Sequence, residues 1–225
     1  MSNKEPFIFQ TERHLVMLTG NRARNLNDLL HHIAQVSGSS IFYHTHHQYL
    51  SHHFEKPVFH NDFAAWTSNA LQEEPLSEKL VAIDLLAFSS IRQLREAIVE
   101  TMEAYLAQIG RRTRNCLPGY EFHFCECKSF IMPSGFMAQD IPEFFAKLPM
   151  VSNASMYFHF FEARLRLENR TNDFSAWLSY RGAPDLAKAV DQLDPYRMTL
   201  EELKGEIIAL GKSEEWTHDG HTAGL

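Results

Sequence analysis

Short runs of apolar residues occur near the start of the chain and again near its middle. They are Phe7-Ile8-Phe9, Leu15 to Leu18, Phe122-His123-Phe124 and Phe130 to Met132. Brief runs bounded by polar residues are typical of short strands. Thr19-Gly20 and Ser134-Gly135 predict turns that close these strands, because glycine adopts backbone angles that other residues avoid.

Each pair of runs is followed by segments with a helical period. The clearest covers about Ile91 to Ile109, with apolar residues at Leu94, Ile98 and Met102, and a second covers about Leu200 to Leu210. Several helix starts are marked by an oxygen-bearing side chain that would accept from free backbone amides. These expected capping residues are Asn25, Ser37, Asn61, Asp140, Ser152 and Asn172.

The two halves of the chain match each other. Residues 26–50 align without a gap onto 141–165 at an offset of 115, and Asn61-Asp62-Phe63 matches Asn172-Asp173-Phe174 at an offset of 111. The expected fold is therefore α+β and mainly helical, with two tandem homologous modules about a pseudo-twofold axis. Each module would have short N-terminal strands followed by four or five helices.

The match also predicts domain boundaries. The first copy would cover residues 1–109, a linker 110–120 containing Pro118-Gly119, and the second copy 121–211. Residues 212–225 are polar and unpatterned and are expected to be a disordered tail.

Net charge, cysteine count and the lack of a long apolar span limit the classes of protein to which this chain could belong. The chain has 225 residues and a net charge of −7, which argues against a nucleic-acid or anionic-membrane surface. Three cysteines are an odd number, and neither a signal peptide nor a long apolar span is visible. A cytoplasmic protein is expected.

The histidine-rich run Tyr43-His44-Thr45-His46-His47 carries the main candidate chemistry. On an α-helix His44 and His47 would share a face, and the second half keeps a ligand-capable pair, His159 and Glu162, at the matching positions. If the copies pack about a twofold axis, these four side chains could form one site for zinc, iron or manganese. Asp62 or Asp173 would then be a supporting or base residue.

A structural role is the alternative. The histidines would lie half-buried and hydrogen-bonded to carbonyls or to Asp62 and Asp173. His46, His52 and His53 are expected to face solvent in either case.

Two further groups of residues are candidate sites. His123, Cys125 and Cys127 would line one side of a strand, but the first half lacks them, and buried apolar cysteines are the more common explanation. Trp66 and Trp177 are expected to pack into the core, with ligand stacking as the alternative.

The chain resembles a known family. The segments SSIFYHTHHQYL, NDFAAW and LREAIVETMEAYL in the first half, with FHFCECKSFIMPSG, SMYFHFFEARLRL and TNDFSAW in the second, are similar to a duplicated bacterial and archaeal family known only as a domain of unknown function. The resemblance covers nearly the whole chain and implies no activity.

Two functions are left open. The first is a non-catalytic binding or protein-interaction module, with a protein partner or a second copy of itself as ligand. The second is a metal-dependent enzyme that uses the His44, His47, His159 and Glu162 site. GxGxxG, GxxxxGK[ST] and GxSxG are absent, so dinucleotide, P-loop and nucleophile-elbow chemistry have no support.

Overall fold

The computed structural model describes residues 5–47, 59–110, 112–163 and 171–213. Its sheet consists of two long antiparallel strands, β1 (Phe7–Ala23) and β2 (Phe122–Ala138). His14 faces Ser129 at the centre of this ribbon. An α+β, mainly helical fold is confirmed.

The prediction of short strands closed by turns is wrong, because each pair of apolar runs belongs to one strand of 17 residues. Thr19-Gly20 and Ser134-Gly135 lie inside the strands, where the pairing register shifts. Gly20 and Gly135 have φ values of +83° and +86°, which glycine tolerates at a bulge. The hydroxyls of Thr19 and Ser134 donate to carbonyls of the opposite strand, so each irregularity stays within the ribbon.

Helices follow each strand in the same order. After β1 come α1 (Leu26–Gln35), α2 (Gly38–Phe42), α3 (Asp62–Asn69), α4 (Glu74–Val81) and α5 (Ile91–Gln108). After β2 come α6 (Ile141–Lys147), α7 (Asn153–Tyr157), α8 (Asp173–Arg181), α9 (Pro184–Asp191) and α10 (Leu200–Ser213). π-Helical turns, Tyr43–His47 and Phe158–Glu162, continue α2 and α7.

The predicted helix starts are confirmed by their capping bonds. In all six cases the side chain accepts from the backbone N–H three residues further on, which satisfies an amide that has no partner within the helix. The residues are Asn25, Ser37, Asn61, Asp140, Ser152 and Asn172.

The strands connect the two halves through their buried aromatic residues. Phe7 and Phe9 of β1 lie in a core formed mainly by α6 to α10, whereas Phe122 and Phe124 of β2 lie in the core of α1 to α5. Neither group of helices therefore has a complete core without the strand from the other half.

The predicted boundary between the second copy and the tail stays a prediction. Helix α10 continues through residue 213, so residues 212 and 213 belong to the fold, while the rest of the predicted tail lies outside the described residues. None of the helices in the described ranges is both long and apolar enough to cross a membrane.

Candidate functional site at the two-stranded ribbon

His44 joins helix α3 to strand β2. Its Nδ1 lies 2.7 Å from a carboxylate oxygen of Asp62, and its Nε2 accepts the backbone N–H of Cys125 at 2.9 Å. Because Nε2 accepts, the proton of the neutral ring is on Nδ1 and is donated to Asp62. His44 is thus a buried bridge that caps the outer edge of β2.

His159 makes the same bridge to β1. Its Nδ1 lies 2.8 Å from Asp173, and its Nε2 accepts the backbone N–H of Gln10 at 2.8 Å. In each half, a helix-borne histidine and aspartate therefore hold the edge of the strand from the other half. This satisfies amides that an unprotected edge would expose.

Aromatic rings surround both bridges. The His44 ring lies 4.7 Å from that of Phe122 and 5.5 Å from that of Phe63. The His159 ring lies 4.8 Å from that of Phe7 and 5.4 Å from that of Phe174. The hydrogen bonds to Asp62 and Asp173 expected under the structural alternative are therefore present, and both histidines lie in apolar surroundings.

The α-helical geometry assumed for the histidine run is wrong, because residues 43–47 form a π-helical turn. In a π-helix each residue turns less than in an α-helix, so residues three apart no longer share a face. His44 faces Asp62, whereas the His47 ring lies 4.7 Å from the ring of His14.

The four predicted metal ligands have different surroundings. His44 and His159 use both ring nitrogens in their bridges, and Glu162 lines a cavity beside β2. Within the ranges that the structure describes, no three His, Cys, Asp or Glu side chains are placed to hold a metal ion. A metal at His44, His47, His159 and Glu162 stays a prediction, and it would require His44 and His159 to give up a hydrogen bond each.

His46 is buried, contrary to the expectation that it faces solvent. Its ring stacks on Phe42 at 5.4 Å, and its Nδ1 lies 2.7 Å from the Thr45 hydroxyl. Burial lowers the pKa of His46 to about 3, and burial together with His14 lowers the pKa of His47 to about 4. Both rings are therefore neutral near pH 7. His52 and His53 lie outside the described residues.

The cysteine-rich strand does not present one ligand-bearing face. His123 is exposed, Cys125 is half-buried and Cys127 is buried. Burial also raises the pKa of the Cys125 thiol, which disfavours the thiolate.

A polar cluster that the sequence analysis missed lies at the centre of the ribbon. Nδ1 of His14 is 3.1 Å from the Ser129 hydroxyl, and its Nε2 is 3.2 Å from a carboxylate oxygen of the fully buried Glu12. His14 and Glu12 are thus close enough for an ion pair, but their atoms are not aligned for a hydrogen bond to each other. Ser129 also lines a cavity of about 270 Å³ with Ser39, Cys127 and Glu162. The matching positions 14 and 129 were the signal that could have revealed this cluster, but only antiparallel pairing places them opposite each other.

The outward face of the ribbon is apolar, and we call it the outer strip. Strand alternation places it opposite the face that carries the buried Glu12 and Cys127, where Val16 and Ile131 are nevertheless 42% and 47% exposed. Four of its side chains are large, apolar and 37–52% exposed, while its two cations pair with apolar residues across the strands. The outer strip consists of Arg13, Leu15, Met17, Lys128, Phe130 and Met132.

Comparison with known proteins gives a family but no activity. The structure is similar to that of OrfY from Thermoproteus tenax, with a TM-score of 0.81, 27% sequence identity and coverage of 95% of this chain and 97% of that one. No curated protein matches the chain. The model of the Family of unknown function (DUF5752) matches residues 4–212. The chain therefore belongs to this family of unknown function.

Proposed function

We propose that the protein is a non-catalytic interaction module whose outer strip binds an acidic, apolar segment of a partner protein. The observation that carries this proposal is the exposure of Leu15, Met17, Phe130 and Met132 on one face. Contiguous exposed apolar surface of this kind marks interaction sites more often than it is left bare.

The charges of the outer strip favour an acidic partner. The whole chain has a net charge of −7, yet Arg13 and Lys128 place two cations among the apolar residues of the strip. The carboxylate on the same face, Glu126 opposite Met17, already accepts a hydrogen bond from the Ser37 hydroxyl. A partner with carboxylates beside apolar side chains would pair with both features. A second copy stacked strip to strip would instead bring these cations close to one another.

Internal duplication supports a rigid platform for this surface. We infer that residues 1–109 and 121–211 are two copies of one module, joined by 110–120, because the elements after each strand and the two His–Asp bridges correspond. The bridges hold both edges of the ribbon, so binding would cost little ordering of the backbone. The free state of Cys116, Cys125 and Cys127 supports placing the module in the cytoplasm.

The first experiment is selection of a random peptide library, displayed on phage, against the full chain. Selected peptides should combine acidic and apolar residues, and a higher salt concentration should weaken their binding to the chain. Phe130→Glu should remove binding, whereas Leu117→Glu should not, because Leu117 is 70% exposed and lies in the linker, away from the strip.

Exchange of charge provides a second test. Arg13→Glu combined with Lys128→Glu should shift the selected peptides from acidic to basic. Equal binding by the Phe130→Glu variant would contradict the proposal. A concentration-dependent dimer in light scattering that Phe130→Glu abolishes would contradict it too, because a second copy would then be the occupant.

A second candidate function is acyl transfer by Ser129, favoured by the order Ser129, His14, Glu12 in the central cluster. Ser129 Oγ would attack an acyl carbon and pass its proton to His14 Nδ1, and His14 would return that proton to the leaving group as the bond between the acyl carbon and the leaving group breaks. A second nucleophile would then take the acyl group and restore the Ser129 hydroxyl. Glu12, 3.2 Å from His14 Nε2, would stabilise the ring while it carries the proton. Covalent labelling of Ser129 by a fluorophosphonate probe, lost in Ser129→Ala and in His14→Phe, would support this function. Failure of the folded native chain to be labelled would count against it.

A further inference from the structure

Trp66 and Trp177 are held in the same way at opposite ends of the ribbon. The indole N–H of Trp66 donates to the backbone carbonyl of Tyr120 at 2.7 Å, and the indole N–H of Trp177 donates to the backbone carbonyl of Glu5 at 3.1 Å. Each ring also meets a strand phenylalanine edge to face, Phe122 at 5.7 Å for Trp66 and Phe7 at 5.6 Å for Trp177. The two indoles therefore have matching orientations on their helices.

The two indole rings differ in what lies over the face of the ring. The Arg181 guanidinium, one turn after Trp177, lies 5.2 Å from the centre of that ring. At this distance a cation is attracted by the negative face of an indole. The residue one turn after Trp66 is Ala70, which has no group that could cover the ring.

A cavity of about 410 Å³ lies at Trp66, large enough for the end of a side chain or a small molecule. Its aromatic wall includes Trp66, Tyr120 and Phe122, and its carboxylates are Asp62 and Glu121. The described lining contains neither lysine nor arginine, and its basic side chain is the imidazole of His123.

The charge at the cavity favours a cation. Backbone N–H groups of Glu121 itself and of Gly119 hold the pKa of the Glu121 carboxyl below its usual range, so this group is ionised at neutral pH. The positive charges of Arg22 and Arg24, which do not line the cavity, also lower the pKa of Glu121. Asp62 already accepts the Nδ1–H of His44, which leaves Glu121 as the more available anion.

We propose that the Trp66 cavity binds a guanidinium group, which would stack on the indole where Arg181 stacks on Trp177 in the other half. The guanidinium would come from a small molecule or from an arginine side chain of a partner, and both would use the same contacts. This site is separate from the outer strip and from the central cluster.

The test follows the indole N–H resonances in two-dimensional ¹H–¹⁵N NMR spectra of the full chain. Trp66→Phe identifies the Trp66 signal. Titration with agmatine should move this signal saturably, and butylamine, which lacks the planar guanidinium, should bind more weakly. A short peptide with one central arginine, compared with agmatine, separates a protein source from a small-molecule source.

Ala70→Arg is the decisive variant, because it gives Trp66 the internal cation that Trp177 already has. It should abolish the response to agmatine while the melting temperature stays near that of the native chain, since position 70 is only partly buried. Arg181→Ala should make the Trp177 signal responsive in turn. Glu121→Gln should weaken binding about two- to fivefold, as expected for the loss of an exposed charge pair.

Two results would overturn the proposal. One is an unchanged agmatine response in a folded Ala70→Arg variant, which would place binding elsewhere. The other is the lack of any saturable shift of the Trp66 signal in the native chain. Neither result would bear on the outer strip, because the peptide selection uses different residues.

Discussion

Mild acid should destabilise this fold through His46. The ring is buried and its folded-state pKa is about 3, compared with an ordinary value of 6.5. Between these values the unfolded chain binds a proton that the folded chain does not, so the free energy of unfolding falls as the pH is lowered through this window. Of the interval from pH 7 to pH 5, about 1.5 pH units lie below the ordinary pKa of 6.5. The free energy of unfolding should therefore fall by about 2 kcal/mol over this interval.

The matched variant is His46→Phe, because the other half already has Phe161 stacked on Tyr157 at 5.2 Å where His46 stacks on Phe42. Phenylalanine cannot take up a proton. Chemical denaturation at pH 7 and pH 5, followed by circular dichroism, gives the loss of free energy for each protein. The native chain should lose about 2 kcal/mol more than His46→Phe.

Other titrating groups cancel in this comparison because both proteins share them. His47, whose pKa burial lowers to about 4, adds acid sensitivity to both. His31→Phe on the exposed face of α1 is the control and should leave the native pH dependence in place. An equal loss by the native chain and His46→Phe would refute the reasoning, since His46 would then be protonated in the folded protein.

Three further outcomes are expected. His44→Phe and His159→Phe should each lower the free energy of unfolding by about 2–4 kcal/mol in chemical denaturation, because each leaves a strand N–H and an aspartate without the bridge; a loss below about 0.5 kcal/mol would contradict this. Gly205→Ala should stabilise α10 by about 0.5–1 kcal/mol, whereas Gly211→Ala should not, because its new methyl group would overlap an aromatic side chain of α6; equal effects on the melting temperature would be the contrary result. Elemental mass spectrometry of untagged protein should find well under one zinc, iron or manganese per chain, because His44 and His159 already use both ring nitrogens; about one per chain would instead support the predicted metal site.

Local features of the chain were readable from the sequence. Capping side chains such as Asn61 and Asn172 act on amides three residues away, so neighbouring residues suffice to predict them. Helix α5 was predicted to within one residue because its apolar period is long and regular. Hydrogen bonds from the histidines to Asp62 and Asp173 were one form of the structural alternative to a metal, although that alternative expected half-buried rings and the rings of His44 and His159 are buried.

The features that involve distant parts of the chain were decided by the tertiary structure. His44 reaches Cys125, 81 residues away, and His14 meets Ser129, 115 residues away, only because the two strands pair antiparallel. The π-helical turn that buries His46 follows from the packing around it, since a sequence period does not distinguish a π-turn from an α-turn. Sequence patterns describe which residues share a face of one element, whereas the partner of that face is set by how the elements pack. The six helix starts and the length of α5 were therefore determined by the sequence alone, and the long ribbon with the bridges at its edges by the fold.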